Sequence, residues 1–402
     1  MTAMRRLLGN LLLAAAAVLL TLLVAEPVVR LFRPFNMNER DVAMRYDPML
    51  GWSMVPHNRG VYAPDDGEIE ELNSRGLRGP EHPYEKPAEE YRILVIGDSF
   101  AEGRLVSFRD TTFEVLEREL RRTGLRPRFE VIGAGTGGYS TDQELLFFET
   151  EGRKYAPDLT VLMFYENDVW YNAQPRSSRG NKPLFELTAD DDLKLTRVPV
   201  PVTGARTGEA TRHEPSFLRR LVTWLRARSA VYQFVRDGVR DLSATAVRNK
   251  GRVPNEFRVW RRTYDDETRH AWRVTEALLR RLQRGTREIG SELVVLYVPT
   301  AAEIHPEIWA ATRERYGLPE AEWDVTRLAR ELGEVCRRNA IHFVDPTDQF
   351  RAEAAKPLLE RKPLYFETDP HWTPAGHALA GHILADYVEK TFLAPSRPDA
   401  SG

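Results

Sequence analysis

Short apolar runs alternate with longer segments of helical periodicity along most of this 402-residue chain. This alternation is typical of a parallel sheet whose two faces are both covered by helices. We therefore predict an α/β fold, a three-layer α/β/α sandwich with a five-stranded, flavodoxin-like parallel sheet. The predicted strands are residues 92–97, 129–132, 159–165, 292–298 and 341–344, and the predicted helices are about 110–123, 141–154, 262–288, 320–339 and 374–389.

Three of the predicted strands end in small or polar residues. The first runs into Gly97-Asp98-Ser99, the second into the glycine loop, residues 133–138, and the third into Asn167 after Glu166. In an open parallel sheet the ligand crevice lies at the carboxyl ends of the strands. A serine hydroxyl, a loop of closely approachable N–H groups and a carboxamide are therefore expected at one edge.

An aspartate and a histidine follow about 270 residues after Ser99, in Asp369-Pro370-His371-Trp372. A hydroxyl, an imidazole and a carboxylate are the groups of a nucleophilic serine site, if the fold brings them together. His377 is an alternative base. We favour His371 because Thr373-Pro374 has the pattern of a helix start, which places His377 within the helix.

These four blocks, in this order and spacing, resemble the SGNH (GDSL-type) hydrolase and acyltransferase superfamily, over roughly residues 46–390. The resemblance implies that Ser99 is the nucleophile, His371 the base and Asp369 its orienting carboxylate. It also implies an oxyanion hole formed by the Ser99 amide, Gly135 and Asn167. The chain departs from the common pattern in having Asp two residues before the His, a form similar to membrane-associated, exopolysaccharide O-acetylating members.

The departure in the glycine loop is Gly133, which stands where many members of that superfamily have an asparagine. Each site residue also has a structural interpretation, since Gly-Asp-Ser is a common turn and Asn167-Asp168 is suited to capping a helix. The order of the four blocks favours the catalytic interpretation.

Two other site types were weighed. Gly133-x-Gly135-x-x-Gly138 fits a dinucleotide-binding fingerprint, but it follows the second predicted strand and lacks an acidic residue about 20 positions later. A metal site would use Asp369, His371, His377 and His382. The five-residue spacing of the last two turns their rings apart on a helix, so we expect neither a metal nor another cofactor.

The N-terminus carries a candidate membrane anchor. Arg5-Arg6 precede the uncharged, mainly apolar residues 7–25, which are just long enough to cross a hydrocarbon core of roughly 30 Å. The positive flank predicts an inside start and an exported remainder. A cleaved signal peptide is the alternative, although Leu23-Val-Ala25 is a poor cleavage site. We expect a single-pass protein of the cytoplasmic membrane, with its catalytic domain facing the periplasm or the cell exterior.

The remaining chain divides into an extended arm (26–90), a hydrolase-like domain (91–392) and a disordered tail (393–402). Within the domain, residues 170–260 form an insertion, predicted to be mostly helical because 217–247 has an amphipathic, arginine-rich pattern. A lid packed on the core and a contact with anionic lipid both fit that pattern.

Composition restricts the partners. A formal net charge of −2 gives no reason to expect nucleic acid, and the single Cys336 excludes an internal disulfide.

From the site residues and the resemblance, we expect a serine esterase or O-acetyltransferase acting on an acyl ester donor, with a polysaccharide or lipid as acceptor. The outward topology favours transfer over hydrolysis. A non-catalytic binding or assembly protein on the same scaffold is the alternative.

Overall fold

The computed structural model describes residues 44–63, 69–202, 253–357, 359–367 and 369–394, together with isolated positions between 6 and 29 and between 229 and 235. The strands, in chain order, are β1 (Met44–Asp47), β2 (Gly51–Met54), β3 (Arg59–Val61), β4 (Ile69–Glu71), β5 (Glu90–Gly97), β6 (Arg128–Gly135), β7 (Leu159–Phe164), β8 (Arg176–Ser177), β9 (Gly180–Asn181), β10 (Leu184–Leu187), β11 (Leu193–Thr196), β12 (Glu292–Tyr297) and β13 (His342–Val344).

In the unit that contains the main sheet, the described helices run from Ser99, at the Gly97-Asp98-Ser99 turn (called the nucleophile turn below, after its predicted role), to near the C-terminus. They are α1 (Ser99–Glu102), α2 (Thr112–Thr123), α3 (Thr141–Thr150), α4 (Glu166–Asn172), α5 (Asp266–Glu288), α6 (Ala301–Ile304), α7 (Pro306–Tyr316), α8 (Arg327–Arg338), α9 (Thr347–Ala354) and α10 (Pro374–Val388). Single 3-10 turns cover Phe108–Asp110, Gly152–Tyr155 and Asn255–Trp260, and a π turn covers Glu389–Leu393.

Five strands form the main sheet, in the order β6-β5-β7-β12-β13, and every neighbouring pair is parallel. Counted along the chain, this is the order 2-1-3-4-5 of flavodoxin-like folds. The predicted α/β class and five-stranded parallel sheet are therefore confirmed.

The two faces of this sheet bury separate hydrophobic cores. Side chains alternate along a strand, so Ile93 and Val95 of β5 pack with α2 and α10, whereas Leu94 and Ile96 pack with α3, α5 and α8. All of β7 is buried, because this central strand is covered on both faces. Helices on both faces give the three layers that the sequence pattern predicted.

Local sequence explains where the helices around the site begin. In α2 the Thr111 hydroxyl accepts the Glu114 N–H, and Gly124 ends the helix in the left-handed region. In α10 the Thr373 hydroxyl accepts the Gly376 N–H and Pro374 occupies the first turn. The predicted start of the last helix, at Thr373-Pro374, is confirmed. This start also fixes the position of the segment that precedes α10.

The arm and the insertion contain strands that the sequence pattern did not predict. The arm holds two antiparallel pairs, β1-β2 and β3-β4, and the described start of the insertion holds two more, β8-β9 and β10-β11. The prediction of a mostly helical insertion is thus wrong for residues 176–196. The amphipathic segment 217–247 lies almost entirely outside the described residues.

The chain divides into two compact units. One comprises residues 1–41, 64–67 and 208–250, and within it the Ser229 hydroxyl donates to a Glu26 carboxylate oxygen at 2.9 Å. The other comprises 42–63, 68–207 and 251–402 and contains the whole of the main sheet.

The predicted anchor, residues 7–25, lies largely outside the described residues. Within the described part of the chain, no helix combines the length and the apolar character needed to cross a membrane.

Candidate active site

Ser99 is the first residue of α1, at the carboxyl end of β5. The preceding Asp98 caps this helix, because its carboxylate accepts the Phe100 N–H at 2.9 Å. The first N–H groups of a helix have no partner within it, and the Ser99 N–H is one of them. The turn therefore presents a hydroxyl and an N–H at the same residue, on an otherwise buried strand end.

The structure brings the late histidine and aspartate to this serine. His371 Nε2 lies 2.7 Å from the Ser99 Oγ, although the two residues are far apart in the chain. The other ring nitrogen, Nδ1, hydrogen-bonds to Asp369 Oδ1, which also accepts the His371 backbone N–H at 3.0 Å. Asp369 therefore fixes both the ring and the backbone of His371, and leaves Nε2 to the serine.

Aromatic packing holds the imidazole in place. The Phe100 ring centroid lies 4.8 Å from that of His371 at an interplanar angle of 33°, and 5.2 Å from that of the fully buried Trp372. The His371 side chain is 12% exposed and that of Asp369 28%. The pair is thus open enough to meet a substrate, but is held against a rigid aromatic wall.

The charge state of Asp369 suits its position. Burial raises the pKa of this carboxyl, but the hydrogen bond and charge of His371 and the nearby Arg104 guanidinium lower it more, so its pKa lies below the usual value. Asp369 is therefore a carboxylate at neutral pH and stabilises an imidazolium on His371.

Asn167 lies in the first turn of α4, just beyond β7, and contacts the nucleophile turn. Burial raises the pKa of Asp98 to about 6, and the Phe100 N–H, the His371 charge and a hydrogen bond from the Asn167 side chain oppose that rise. A carboxamide has two N–H donors. One holds Asp98, which leaves the second for a substrate oxygen.

The neighbouring Asp168, not Asn167, caps α4. Its carboxylate accepts the Tyr165 backbone N–H at 2.8 Å. Asp168 is fully buried, and burial together with the nearby Asp98 holds its pKa well above the usual value. The structural role foreseen for Asn167-Asp168 is thus filled by Asp168 alone, which leaves the Asn167 amide for the site.

Gly135 ends β6, beside β5, with its α-carbon against α1. A Cβ on Gly135 would lie 1.9 Å from the Glu102 backbone nitrogen, so only glycine fits here. The Val131 N–H donates outward to Glu117 at 2.7 Å, and the Thr136 N–H donates inward to the Gly97 carbonyl at 3.0 Å. N–H groups alternate along a strand, so the Gly135 N–H faces outward, away from β5.

The rest of the glycine loop offers a second donor. The Gly137 N–H donates to Glu102 at 2.6 Å, and the Tyr139 N–H to the Thr136 carbonyl at 3.1 Å. Gly138 has a φ of +79°, and its N–H has no acceptor among the described residues. The oxyanion role of Gly135 stays a prediction, and Gly138 is the alternative donor in the same loop.

The other histidines of the C-terminal segment lie away from Ser99. His377 is buried in α10, where its Nδ1 pairs with the Thr112 hydroxyl at 2.9 Å, and His382 Nε2 lies 3.4 Å from Glu119. In the described ranges, no three His, Cys, Asp or Glu side chains converge as metal ligands would. The structure therefore places His371, rather than His377, against Ser99.

Sequence reasoning gave no role to Asp98, although an aspartate directly before a helix start is a recognisable capping pattern. It also missed Arg104, which follows α1 and whose charge acts on Asp369. The dinucleotide interpretation of the glycine loop is not supported, because α1 fills the space over Gly135 that a pyrophosphate would need.

Several solved structures resemble this chain at low sequence identity. An acetyl xylan esterase, AlAXEase, is 14% identical, and the match covers 74% of this chain and 99% of that one with a TM-score of 0.39. A lipase/acylhydrolase from Enterococcus faecalis is 15% identical, and the match covers 75% of this chain and 96% of that one with a TM-score of 0.36. A two-domain esterase active on acetylated mannans, CEX, is 13% identical, and the match covers 78% of this chain and 52% of that one with a TM-score of 0.39. No curated protein sequence matches this chain significantly.

A sequence family covers the whole arrangement described above. The model of the GDSL-like lipase/acylhydrolase family matches residues 95–379, from the end of β5 into α10. The match includes the nucleophile turn, the glycine loop, Asn167 and the Asp369/His371 pair. This chain therefore belongs to the GDSL-like lipase/acylhydrolase family.

Proposed function

We propose that this protein cleaves acyl esters through a covalent intermediate on Ser99. The observation that carries the proposal is the 2.7 Å contact between Ser99 Oγ and His371 Nε2, with Asp369 bound to the opposite ring nitrogen. A neutral imidazole with Nδ1–H directed to a carboxylate has its Nε2 lone pair free to accept the serine proton.

In the first half-reaction the Ser99 oxygen attacks the ester carbonyl while its proton passes to His371 Nε2. The negative charge that develops on the carbonyl oxygen is met by the Ser99 N–H, the Asn167 amide and a glycine-loop N–H. His371 then returns the proton to the leaving alkoxide. The products of this step are an alcohol and an acyl-serine.

In the second half-reaction a hydroxyl compound attacks the acyl-serine and His371 again carries the proton. Water gives a free acid, whereas a sugar or lipid hydroxyl gives a new ester. Carbohydrate or lipid esters are the proposed substrates and acetyl the proposed acyl group. The proposed N-terminal anchor, which would hold the site on the outer side of the cytoplasmic membrane, favours transfer to a surface polymer.

Active-site labelling tests the mechanism directly. The full chain is treated with a fluorophosphonate, and the modified peptide is identified by mass spectrometry. Modification of Ser99 that disappears in His371→Ala is the expected result. Labelling of a different serine, or equal labelling without His371, would exclude the proposed mechanism.

A partition experiment decides the fate of the acyl group. An acetyl ester donor is supplied with and without glycan acceptors, and free acetate and acetylated glycan are both measured. Transfer predicts product that rises with acceptor concentration while acetate falls. Acetate release that no acceptor diverts would leave a plain esterase.

A further inference from the structure

A groove of about 710 Å³ lies beside the glycine loop, between the arm and the start of the insertion. Trp52 joins it to the loop, because the indole N–H donates to the Gly137 carbonyl at 3.2 Å. The groove is lined by Met44, Arg45, Tyr46, Gly51, Trp52, Ser178, Arg179, Gly180, Asn181, Val200, Pro201 and Val202. Trp52 therefore connects the lining of the groove to the glycine loop of the candidate active site.

The lining is positively charged. Among the described residues that line it there are two arginines and no carboxylate. The Arg45 Nε donates to the Ser53 hydroxyl at 3.2 Å, and an Arg179 Nη contacts the Met44 sulfur at 3.5 Å. Neither guanidinium forms an ion pair in the part of the chain that the structure describes. Arg45 gives the groove a positive potential, and Arg179 adds to it although the charges of Glu102 and Asp98 partly offset that of Arg179.

Arg179 extends the positive charge of the groove lining toward Ser99. A Cβ on Gly138 would lie 2.7 Å from both the Arg179 Cδ and its Nε, so the side chain lies flat on the glycine loop. Partial burial lowers the pKa of Arg179, and the charges of Glu102 and Asp98 oppose that shift. Asp98 directly precedes Ser99, so the guanidinium is within electrostatic reach of the reacting hydroxyl.

Arg104 adds a further positive charge near Asp369 and Arg179. It follows α1, is half-buried, and forms no ion pair with any described residue. Its charge lowers the pKa values of Asp369 and Glu102 and acts on Arg179. A ligand crossing from the groove to Ser99 would thus meet the charges of Arg179 and Arg104, next to the carboxylates of Glu102 and Asp369.

The groove also offers a surface suited to a sugar ring. The Tyr46 side chain is 47% exposed, and its hydroxyl is fixed by donating to the Val200 carbonyl at 2.6 Å. A held, exposed aromatic face packs well on the apolar face of a pyranose. Ser178 and Asn181 add polar groups at the other wall.

We propose that this groove binds a glycan strand bearing carboxylates, such as a polymer containing uronic acids, and feeds it past Arg179 to Ser99. This inference rests on the proposed function and adds its substrate class. The exposed Tyr46 ring in the same lining as the two arginines suits a sugar polymer that carries carboxylates better than a lipid headgroup. Arginine pairs bidentately with carboxylates.

Binding of defined oligosaccharides to the full chain tests the proposal. Calorimetry at low salt compares hexagalacturonate, the neutral mannohexaose and phosphatidylglycerol vesicles. We expect hexagalacturonate to bind, with an affinity that falls as salt rises, and mannohexaose to bind at least tenfold more weakly. Arg45→Gln/Arg179→Gln should weaken hexagalacturonate binding roughly tenfold or more.

Arg122→Gln is the matched control, since Arg122 is an exposed arginine of α2 that lies outside the groove lining. This control should bind hexagalacturonate as the unmodified protein does. Equal affinity for the acidic and neutral oligosaccharides would overturn the proposal. Arginine-dependent binding to the vesicles alone would also overturn it, because the groove would then be a lipid site.

Separate readouts distinguish this proposal from the proposed function. Binding is measured in the Ser99→Ala protein, and turnover of a small neutral acetyl ester and fluorophosphonate labelling are measured in the unmodified one. Normal turnover and labelling without arginine-dependent binding would refute the glycan inference alone. Arginine-dependent binding in a protein whose turnover does not need Ser99 would refute the catalytic proposal and leave the groove as a glycan-binding site.

Discussion

Lys182 donates a hydrogen bond to the carboxylate of Asp142, and neither side chain is exposed to solvent. Lys182 follows β9, while Asp142 lies in the first turn of α3, just beyond the glycine loop. The same ammonium donates to the Tyr171 carbonyl of α4 at 2.9 Å. One buried cation therefore ties the beginning of the insertion to α3, which follows the glycine loop, and to α4, which contains Asn167.

Lys182→Met should destabilise the protein by about 3 to 5 kcal/mol, because it leaves Asp142 buried without its cation. Adding Asp142→Asn should restore part of this loss. Urea unfolding monitored by circular dichroism measures both. Lys154→Met, which removes an exposed lysine paired with Glu151, is the control and should change stability by less than about 1 kcal/mol. A Lys182 variant as stable as this control would contradict the prediction.

Ser99→Ala should lower turnover of a chromogenic acetyl ester by on the order of 10³-fold or more, and His371→Ala by a similar factor. The double variant should be scarcely slower than either, because the hydroxyl and the imidazole act as one unit. Steady-state kinetics on the three proteins check this. Ser74→Ala, an exposed serine bound to Glu81, serves as control. If the loss of turnover in the double variant equalled the product of the two single losses, Ser99 and His371 would act independently, contrary to this prediction.

Asn167→Ala should lower kcat by roughly 10² to 10³ with a modest change in KM, as expected for a donor used mainly in the transition state. The variant also removes a hydrogen bond to Asp98, so its thermal unfolding is measured alongside. Lower thermal stability with unchanged specific activity would show that Asn167 serves only to hold the nucleophile turn.

His377→Ala should change the pH dependence of stability more than it changes the rate of catalysis. Burial lowers the pKa of His377 to about 3, against roughly 6.5 in an unfolded chain. The stability gained from neutral His377 is therefore complete above pH 6.5 and is lost as the pH falls toward 3. Between pH 6.5 and 4 this amounts to about 3 kcal/mol.

At neutral pH the His377→Ala protein should be less stable than the unmodified one, since it loses packing and the bond to Thr112. The difference in unfolding free energy between the two proteins should narrow by about 3 kcal/mol on acidification to pH 4. Chemical unfolding at each pH measures it, and kcat should stay within about threefold. His382→Ala, at an exposed position of the same helix, should show no such narrowing. A stability difference that is independent of pH would mean that His377 takes up its proton over the same pH range in the folded and the unfolded states.

The parts of the fold that could be predicted from the sequence are those with local patterns. Strands such as β7 are apolar except for one threonine, and helices such as α10 begin with a cap and a proline, so both were recognised. Helix α7 was missed because none of its residues is buried, and an exposed helix has no apolar periodicity. The hairpins of the insertion have strands of two to four residues, too short for an alternating pattern.

The site divides in the same way. Ser99, Asn167 and His371 follow recognisable strand ends or precede a helix start, which is why sequence order alone grouped them. Arg179 has no local pattern, because its importance depends on a contact with Gly138 that only the folded chain creates. The direction of the Gly135 N–H could not be predicted either, since it depends on which strand pairs with β6.

That pairing leaves β6 at the margin of the sheet, and margins of this kind invite a second molecule to add a strand. Helix α2 hinders such strand addition, because its side chains bind both an N–H donor and a carbonyl acceptor of this edge. The Glu117 carboxylate takes the outward Val131 N–H, and the Arg121 guanidinium donates to the Phe129 carbonyl at 3.3 Å. Glu117 and Arg121 also pair with each other at 2.7 Å. One turn of helix therefore gives this edge side-chain partners in place of a neighbouring strand, and protects the protein from edge-to-edge aggregation.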